Sequence, residues 1–194
     1  MDVDEQDGLA AGPSHHSRSR RSHPRSNREL RQEEHRRWRP REPEPQPLLF
    51  YNRDEPYYEF TNFSHHPIEF RGRVYPTSEH LFQAHKFLDY HPDIAERIRC
   101  MPSPSAALRE ATRLNRLRRA DWYDVNVGIM DMVLEAKFTQ HPSLQRLLLE
   151  TGDRPLFENS PVDSFWGIGE DANGRNELGK ALMRLREKLQ RMPH

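Results

Sequence analysis

Glu158-Asn159-Ser160-Pro161-Val162-Asp163-Ser164-Phe165-Trp166-Gly167-Ile168-Gly169, continued by Asn173-Gly174-Arg175-Asn176-Glu177-Leu178-Gly179 and Leu182-Met183, is the stretch around which the chain is organised. Two acids five residues apart precede a Trp-Gly-x-Gly run with little propensity for regular structure, and Asn176 is placed to start a helix. Glycines in such a run accept positive φ and let a ligand approach the backbone closely. Paired carboxylates suit proton transfer or the stabilisation of a positive transition state. The same letters also fit a purely structural use, with Trp166 as a core aromatic and Asp163 as a turn former. Chemistry alone leaves both uses open.

Around this stretch the pattern is mostly helical. Leu156-Phe157-Glu158 reads as a short strand that delivers Glu158, and Asn176 as the cap of a last helix with Leu178, Leu182, Leu185 and Leu189 on its core stripe. Upstream, Ser143–Thr151 is a leucine-rich helix closed by Gly152. Asp124 is expected to cap a helix reaching about Thr139, on which Met130, Val133, Leu134 and Lys137 share the apolar stripe. A lysine there must find an anionic partner or snorkel to water, and Glu158 or Asp163 is the expected partner. Trp122 falls in the linker before that helix, either as partial core or as a stacking platform for a base. Ser103-Pro104 opens a helix to about Arg119 with Leu108, Ala111, Leu114 and Leu117 inward. Its Arg113, Arg116, Arg118 and Arg119 form a basic patch, suited either to a phosphate or to plain solvation.

Asp93–Arg99 is a further short helix, and the best-defined one spans Thr77 to Tyr90, with Thr77 or Ser78 as its cap. Leu81, Ala84, His85 and Leu88 share one face there, and Glu79, Gln83, Lys86 and Tyr90 the other. Periodicity by itself makes the second face an ordinary solvated one. Glu79 lies in the first turn, where the helix dipole favours its ionised form. His80 and His85 lack Cys or acidic neighbours at metal-ligand spacing, so no metal and no cofactor are expected. Residues 48 to 76 read as short strands and turns, with a hairpin about Gly72 between Ile68-Glu69-Phe70 and Arg73-Val74-Tyr75. The aromatic segment Tyr57–Phe63 supplies Phe60 to the core and carries Asn62, whose amide can either form a turn or hold a ligand. The fold class is therefore α+β, a mostly helical single domain with a small sheet from the amino-terminal third.

The spacing Glu158…Asp163-x-x-Trp166-Gly167-x-Gly169…Gly174-x-Asn176-x-x-Gly179-x-x-Leu182-Met183 resembles the C-terminal signature of the YbiA-like superfamily, also called NADAR. Thr61-Asn62-Phe63 is similar to its Ser-Asn-Phe element, with Thr in place of Ser. Gly72 with Tyr75-Pro76-Thr77-Ser78-Glu79-His80-x-x-Gln83-Ala84-x-Lys86-Phe87 is similar to its central helix. Trp122, Lys137-Phe138 and Leu148-Leu149-x-Thr151-Gly152 follow in the family's order, so the resemblance covers about residues 48 to 190.

That resemblance implies cleavage of the N-glycosidic bond of phosphoribosylamino intermediates of riboflavin synthesis, or the removal or recognition of ADP-ribose. Breaking an anomeric C–N bond builds positive charge on the ribose carbon and needs an anion, a proton source and an activated water. It implies Glu79 and Asp163 as the catalytic carboxylates. It makes the Glu79-Gln83-Lys86 stripe a pocket wall, with Lys86 and Lys137 on phosphate or tuning the acids. Trp122 and Trp166 would stack on the heterocycle, Asn62 and Glu158 would hold ribose hydroxyls, and Phe63 and Gly167 complete the expected substrate contacts. Three classes stay open: a small-molecule N-glycosidase, an ADP-ribosyl hydrolase acting on modified nucleobases, and a non-catalytic NAD or ADP-ribose module.

Composition bounds the rest. The chain has 194 residues, 30 Lys and Arg against 30 Asp and Glu, and a pI near 7.2, so overall charge does not make it a polyanion binder. Cys100 is the only cysteine, so no intrachain disulfide forms and a reducing compartment is expected. The amino terminus is not a secretory signal, and no run of about 18 apolar residues spans a membrane. The expectation is an intracellular protein, cytoplasmic or nuclear, with oligomeric state open. Residues 1–46 bury too little to fold and are expected to be a disordered Arg/Pro/Ser-rich tail. Ten arginines between Arg18 and Arg41 make it either a solubilising tail or an arm for nucleic acid or nuclear targeting. The domain is expected to span 47–194.

Overall fold

The computed structural model describes residues 45–192. The Arg-rich segment and its expected disorder therefore lie outside the described residues. The elements run β1 (Leu48–Phe50), β2 (Ile68–Phe70), β3 (Arg73–Tyr75), then α1 (Ser78–Ala84), α2 (Pro92–Arg99), α3 (Pro104–Arg113), α4 (Trp122–Gln140) and α5 (Pro142–Glu150), and end with β4 (Leu156–Glu158) and α6 (Glu177–Gln190). The α+β, mostly helical architecture is as the sequence indicates.

The sheet is not confined to the amino-terminal third. β2 and β3 form the expected hairpin, whose Arg71 and Gly72 both take positive φ, 51° and 72°, as a two-residue turn matched to strand twist requires. β1 instead pairs in parallel with β4, Leu48 opposite Leu156 and Phe50 opposite Glu158. Leu48 and Phe50 are buried, so the strand's backbone needs a protein partner, and the signature stretch supplies it.

α1 is the central helix, and all seven of its residues are buried. It ends at Ala84, not Tyr90, because i→i+3 bonds such as Phe87 N–H to Ala84 O (2.9 Å) tighten the chain and drive Phe87 into the core. Thr77 caps it, its Oγ1 accepting from His80 N–H. α3 ends at Arg113, short of the expected Arg119. Ala107 and Ala111 are buried where it meets α1 and Leu114 packs against the core, whereas Leu108 is exposed, as is Leu117 in a 3-10 turn beyond the helix. Trp122 is not in a linker but opens α4; Asp121 at the cap position turns its carboxylate to Arg119 (2.6 and 2.9 Å). α6 buries Leu178, Leu182, Leu185 and Leu189 as expected.

Asn176 departs from its expected role. It precedes α6 in the left-handed region (φ 53°) and makes no side-chain cap bond. Its Oδ1 accepts from Glu158 N–H (3.0 Å) and its Nδ2 donates to Leu156 O (2.8 Å), so it pins the free edge of β4. Asn tolerates that backbone conformation and offers both a donor and an acceptor. Asn176→Ala should orphan two buried backbone groups and cost about 2–3 kcal/mol, read from the urea midpoint of the full chain.

Candidate active site

Five segments converge on one cavity of about 710 Å³. α1 presents Glu79 and Gln83 on one face, and Lys86 follows just past its end. The first turns of α4 present Trp122 and Asn126. The end of β4 brings Glu158, the loop after it Asp163 and Trp166, and the turn before Ser64 brings Asn62 and Phe63. The solvated face expected for α1 from periodicity is thus a buried wall, Glu79 and Gln83 being 6% and 3% exposed.

Asp163 combines both uses its sequence allowed. Its Oδ1 accepts from Phe165 N–H and Trp166 N–H (2.8 Å each), which forms the turn, while the residue lines the cavity. Trp166 and Trp122 both pack against Phe82, with centroids 5.2 and 5.1 Å away, so the two indoles and one phenyl make a continuous aromatic wall. The Lys86 ammonium lies 5.2 Å over the Trp122 ring. Gln83 Nε2 donates to Glu79 Oε1 (2.8 Å) and fixes that carboxyl.

The electrostatics are dominated by burial. It pushes the Glu79 carboxyl up to about 7, assisted by the charge of Asp163 and opposed by the Gln83 hydrogen bond and by Lys86. It pushes Glu158 up to about 8, with the charges of Asp163 and Glu79 adding to the rise. Lys86 is drawn down to about 8, burial and Arg118 outweighing the attraction of Glu79. At neutral pH the cavity therefore holds carboxyl groups that can both give and take protons.

Two expected contacts are not in the cavity. Lys137 reaches neither Glu158 nor Asp163; its Nζ donates to Glu59 O, Thr61 O and Ser64 Oγ, because the apolar stripe of α4 aims it beneath the turn that carries Asn62. Gly167 serves close packing and not ligand approach. A Cβ there would meet Glu158 O and Ser160 Cβ at 2.8 Å, so the glycine lets the loop fold back on β4. In the expected basic patch, Arg113 is paired with Glu110 and Arg119 with Asp121 and Asp89.

Asn126 was missed. It is 5% exposed, lines the cavity, and lies one helical step from both Trp122 and Met130. A polar residue continuing an apolar stripe was the available signal. Arg53, from a turn, and Tyr58, which opens a one-turn 3-10 helix, also line the cavity, and neither segment is long enough to carry a periodic signal. Among the described residues, the buried side-chain atoms without a hydrogen-bond partner include Asn62 Oδ1, Gln83 Oε1, Asn126 Oδ1 and Glu158 Oε2, all on cavity residues. Unmet buried acceptors gathered in one place make this cavity the candidate site for a polar ligand.

The comparisons agree with this architecture. The NADAR domain model matches residues 49–190. N-glycosidase YbiA of Escherichia coli is 42% identical over 142 residues, 73% of this chain and 88% of that protein. An N-glycosidase of Nostoc punctiforme is 38% identical over 146 residues, 75% of this chain and 94% of that protein. A riboflavin biosynthesis protein of Vibrio vulnificus is 41% identical over 145 residues, which is 39% of its length. The NMR structure of E. coli YbiA superposes with a TM-score of 0.70 at 39% identity, covering 78% of this chain and 91% of that one. With sequence and fold matched across the segments that build the cavity, the chain belongs to the NADAR domain family.

Proposed function

We propose that residues 47–194 form the catalytic domain of an N-glycosidase that hydrolyses the C–N glycosidic bond of a ribosylated amine, of the phosphoribosylamino type found in riboflavin synthesis, and releases a ribose phosphate. One observation carries the proposal. Asp163 shares one cavity with Glu79 and Glu158, whose carboxyls burial pushes up to about 7 and 8, beside an aromatic wall. The names of the relatives support the reaction class.

Glu79 gives its proton to the departing nitrogen as the C–N bond breaks with its electron pair going to nitrogen. Asp163 faces the positive charge that grows on the anomeric carbon. Water then adds to that carbon and returns a proton to Glu79, so the cycle closes with the amine and the sugar phosphate as products. Trp122 and Trp166 stack on the leaving heterocycle, Lys86 takes the phosphate, and Gln83 orients Glu79. Asn62 and the protonated Glu158 hold ribose hydroxyls.

The test is a product assay on the full chain with two substrates in separate tubes, a phosphoribosylamino-pyrimidine and an oligonucleotide bearing ADP-ribosylated guanine. Ribose 5-phosphate from the first tube is the expected result. Free ADP-ribose from the second tube alone would overturn it in favour of an ADP-ribosyl hydrolase, and would direct attention to the Arg-rich segment as a nucleic-acid arm. Silence in both, with calorimetric binding of ADP-ribose, would leave a non-catalytic module.

A further inference from the structure

Lys137 is 0% exposed, yet the chemistry proposed above does not use it. Its Nζ donates to Glu59 O (2.5 Å), Ser64 Oγ (2.7 Å) and Thr61 O (2.9 Å). An ammonium has three donors, so all are engaged, and none of the partners is a carboxylate. A buried cation without a counter-ion is costly, and Met or Leu would fill the same volume at less expense. Burial draws its ammonium down to about 7, opposed only by the charge of Glu59.

What the three bonds hold explains the arrangement. The residues they grip flank Asn62. The Asn62 carbonyl accepts from Glu79 N–H (3.0 Å), and its Nδ2 lies 3.4 Å from Met130 Sδ. Met130 is on α4 between Asn126, which lines the cavity, and Lys137, so one face of one helix carries the cavity wall, the Asn62 buttress and the anchor. Ser64 completes the clamp. Its Oγ accepts from Lys137 and has Glu59 O (3.0 Å) and Thr61 O (3.2 Å) as acceptors for its own proton. The amide of Gln is shorter and carries two donors, and the fork of Arg is planar; neither matches three converging acceptors.

We propose that Lys137 is a positioning residue, its ammonium fixing the Glu59–Ser64 turn so that Asn62, and through the Asn62 carbonyl the first turn of α1 with Glu79, are set against the substrate. The assignment rests on the reading of Asn62 and Glu79 as site residues, and its test has an arm that does not depend on activity.

That test compares Lys137→Met with the wild-type full chain by ¹H–¹⁵N NMR and by ribose 5-phosphate release. In the folded variant, the Asn62 side-chain amide and the Glu79 backbone amide should shift or broaden, while the Trp122 indole and the Asn126 amide stay in place. Turnover should fall about 10²-fold, with the loss in kcat more than in KM, as expected for a misplaced site group. An unmoved Asn62 in a folded Lys137→Met chain overturns the proposal. Equal displacement of Trp122 and Asn126 also overturns it, since Lys137 would then be general core support. If Lys137→Met does not fold, Ser64→Ala decides. That change leaves the ammonium two carbonyl partners and should shift Asn62 less but in the same sense; an unmoved Asn62 there overturns the proposal too. A wild-type chain that releases nothing refutes the glycosidase and leaves the NMR comparison to judge Lys137.

Discussion

Asp163→Asn should lower kcat for ribose 5-phosphate release by about 10³-fold while leaving the chain folded. Asn retains an oxygen at the position where Asp163 Oδ1 accepts from Phe165 and Trp166, so the turn that shapes the loop survives. What disappears is the charge that the proposed mechanism sets opposite the anomeric carbon. On that mechanism a transition state with positive character loses its fixed electrostatic partner. Thermal melting should move little, because loss of charge at a site that still accepts the same N–H groups is a change of about 1 kcal/mol or less. A second consequence is specific to this geometry. The charge of Asp163 helps to raise both Glu158 and Glu79, so both should titrate lower in the variant. Turnover near the wild-type level would remove Asp163 from the mechanism.

Much of this arrangement was legible in the sequence because it is local. The Thr77 cap, the hairpin about Gly72 and the stripe of α6 each depend on residues close to one another in sequence. Family spacing then turned an apparently solvated Glu79-Gln83-Lys86 face into a wall. What stayed illegible depends on distant partners. The strand that pairs with β1 lies over a hundred residues downstream. The true acceptors of Lys137 are backbone carbonyls and a hydroxyl, which carry no charge pattern to read. Asn176 resembled a cap in every sequence respect and instead spends its amide on the strand that holds Glu158. Gly167 looked like a place for a ligand, but the chain itself occupies that space.

Glu79→Gln should cost about 10³-fold in kcat and should also change the shape of the pH profile. On the proposed mechanism departure of the amine needs the protonated carboxyl of Glu79, so kcat/KM should fall as pH rises through about 7. Glu158 adds a second loss near 8 as the group that donates to a ribose oxygen ionises. Because the two acids sense each other, the profile reports apparent values of the pair and not of either residue alone. In Glu79→Gln the first descent should vanish, leaving low activity limited on the alkaline side by Glu158. Stability should move in the opposite direction. Both folded values lie above the ordinary 4.5, so folding is unpenalised below 4.5, and stability is lost as pH rises through about 7 for Glu79 and 8 for Glu158. Gln removes one of those penalties, and Glu79→Gln should therefore melt higher than wild type at pH 9 and nearly the same at pH 4. On the proposed mechanism the cavity trades stability for chemistry, since the burial that raises the Glu79 carboxyl to about 7 also weakens the fold at neutral pH. A variant that loses activity without gaining alkaline stability would show that Glu79 ionises freely in the folded chain, and its role as the acid would fall.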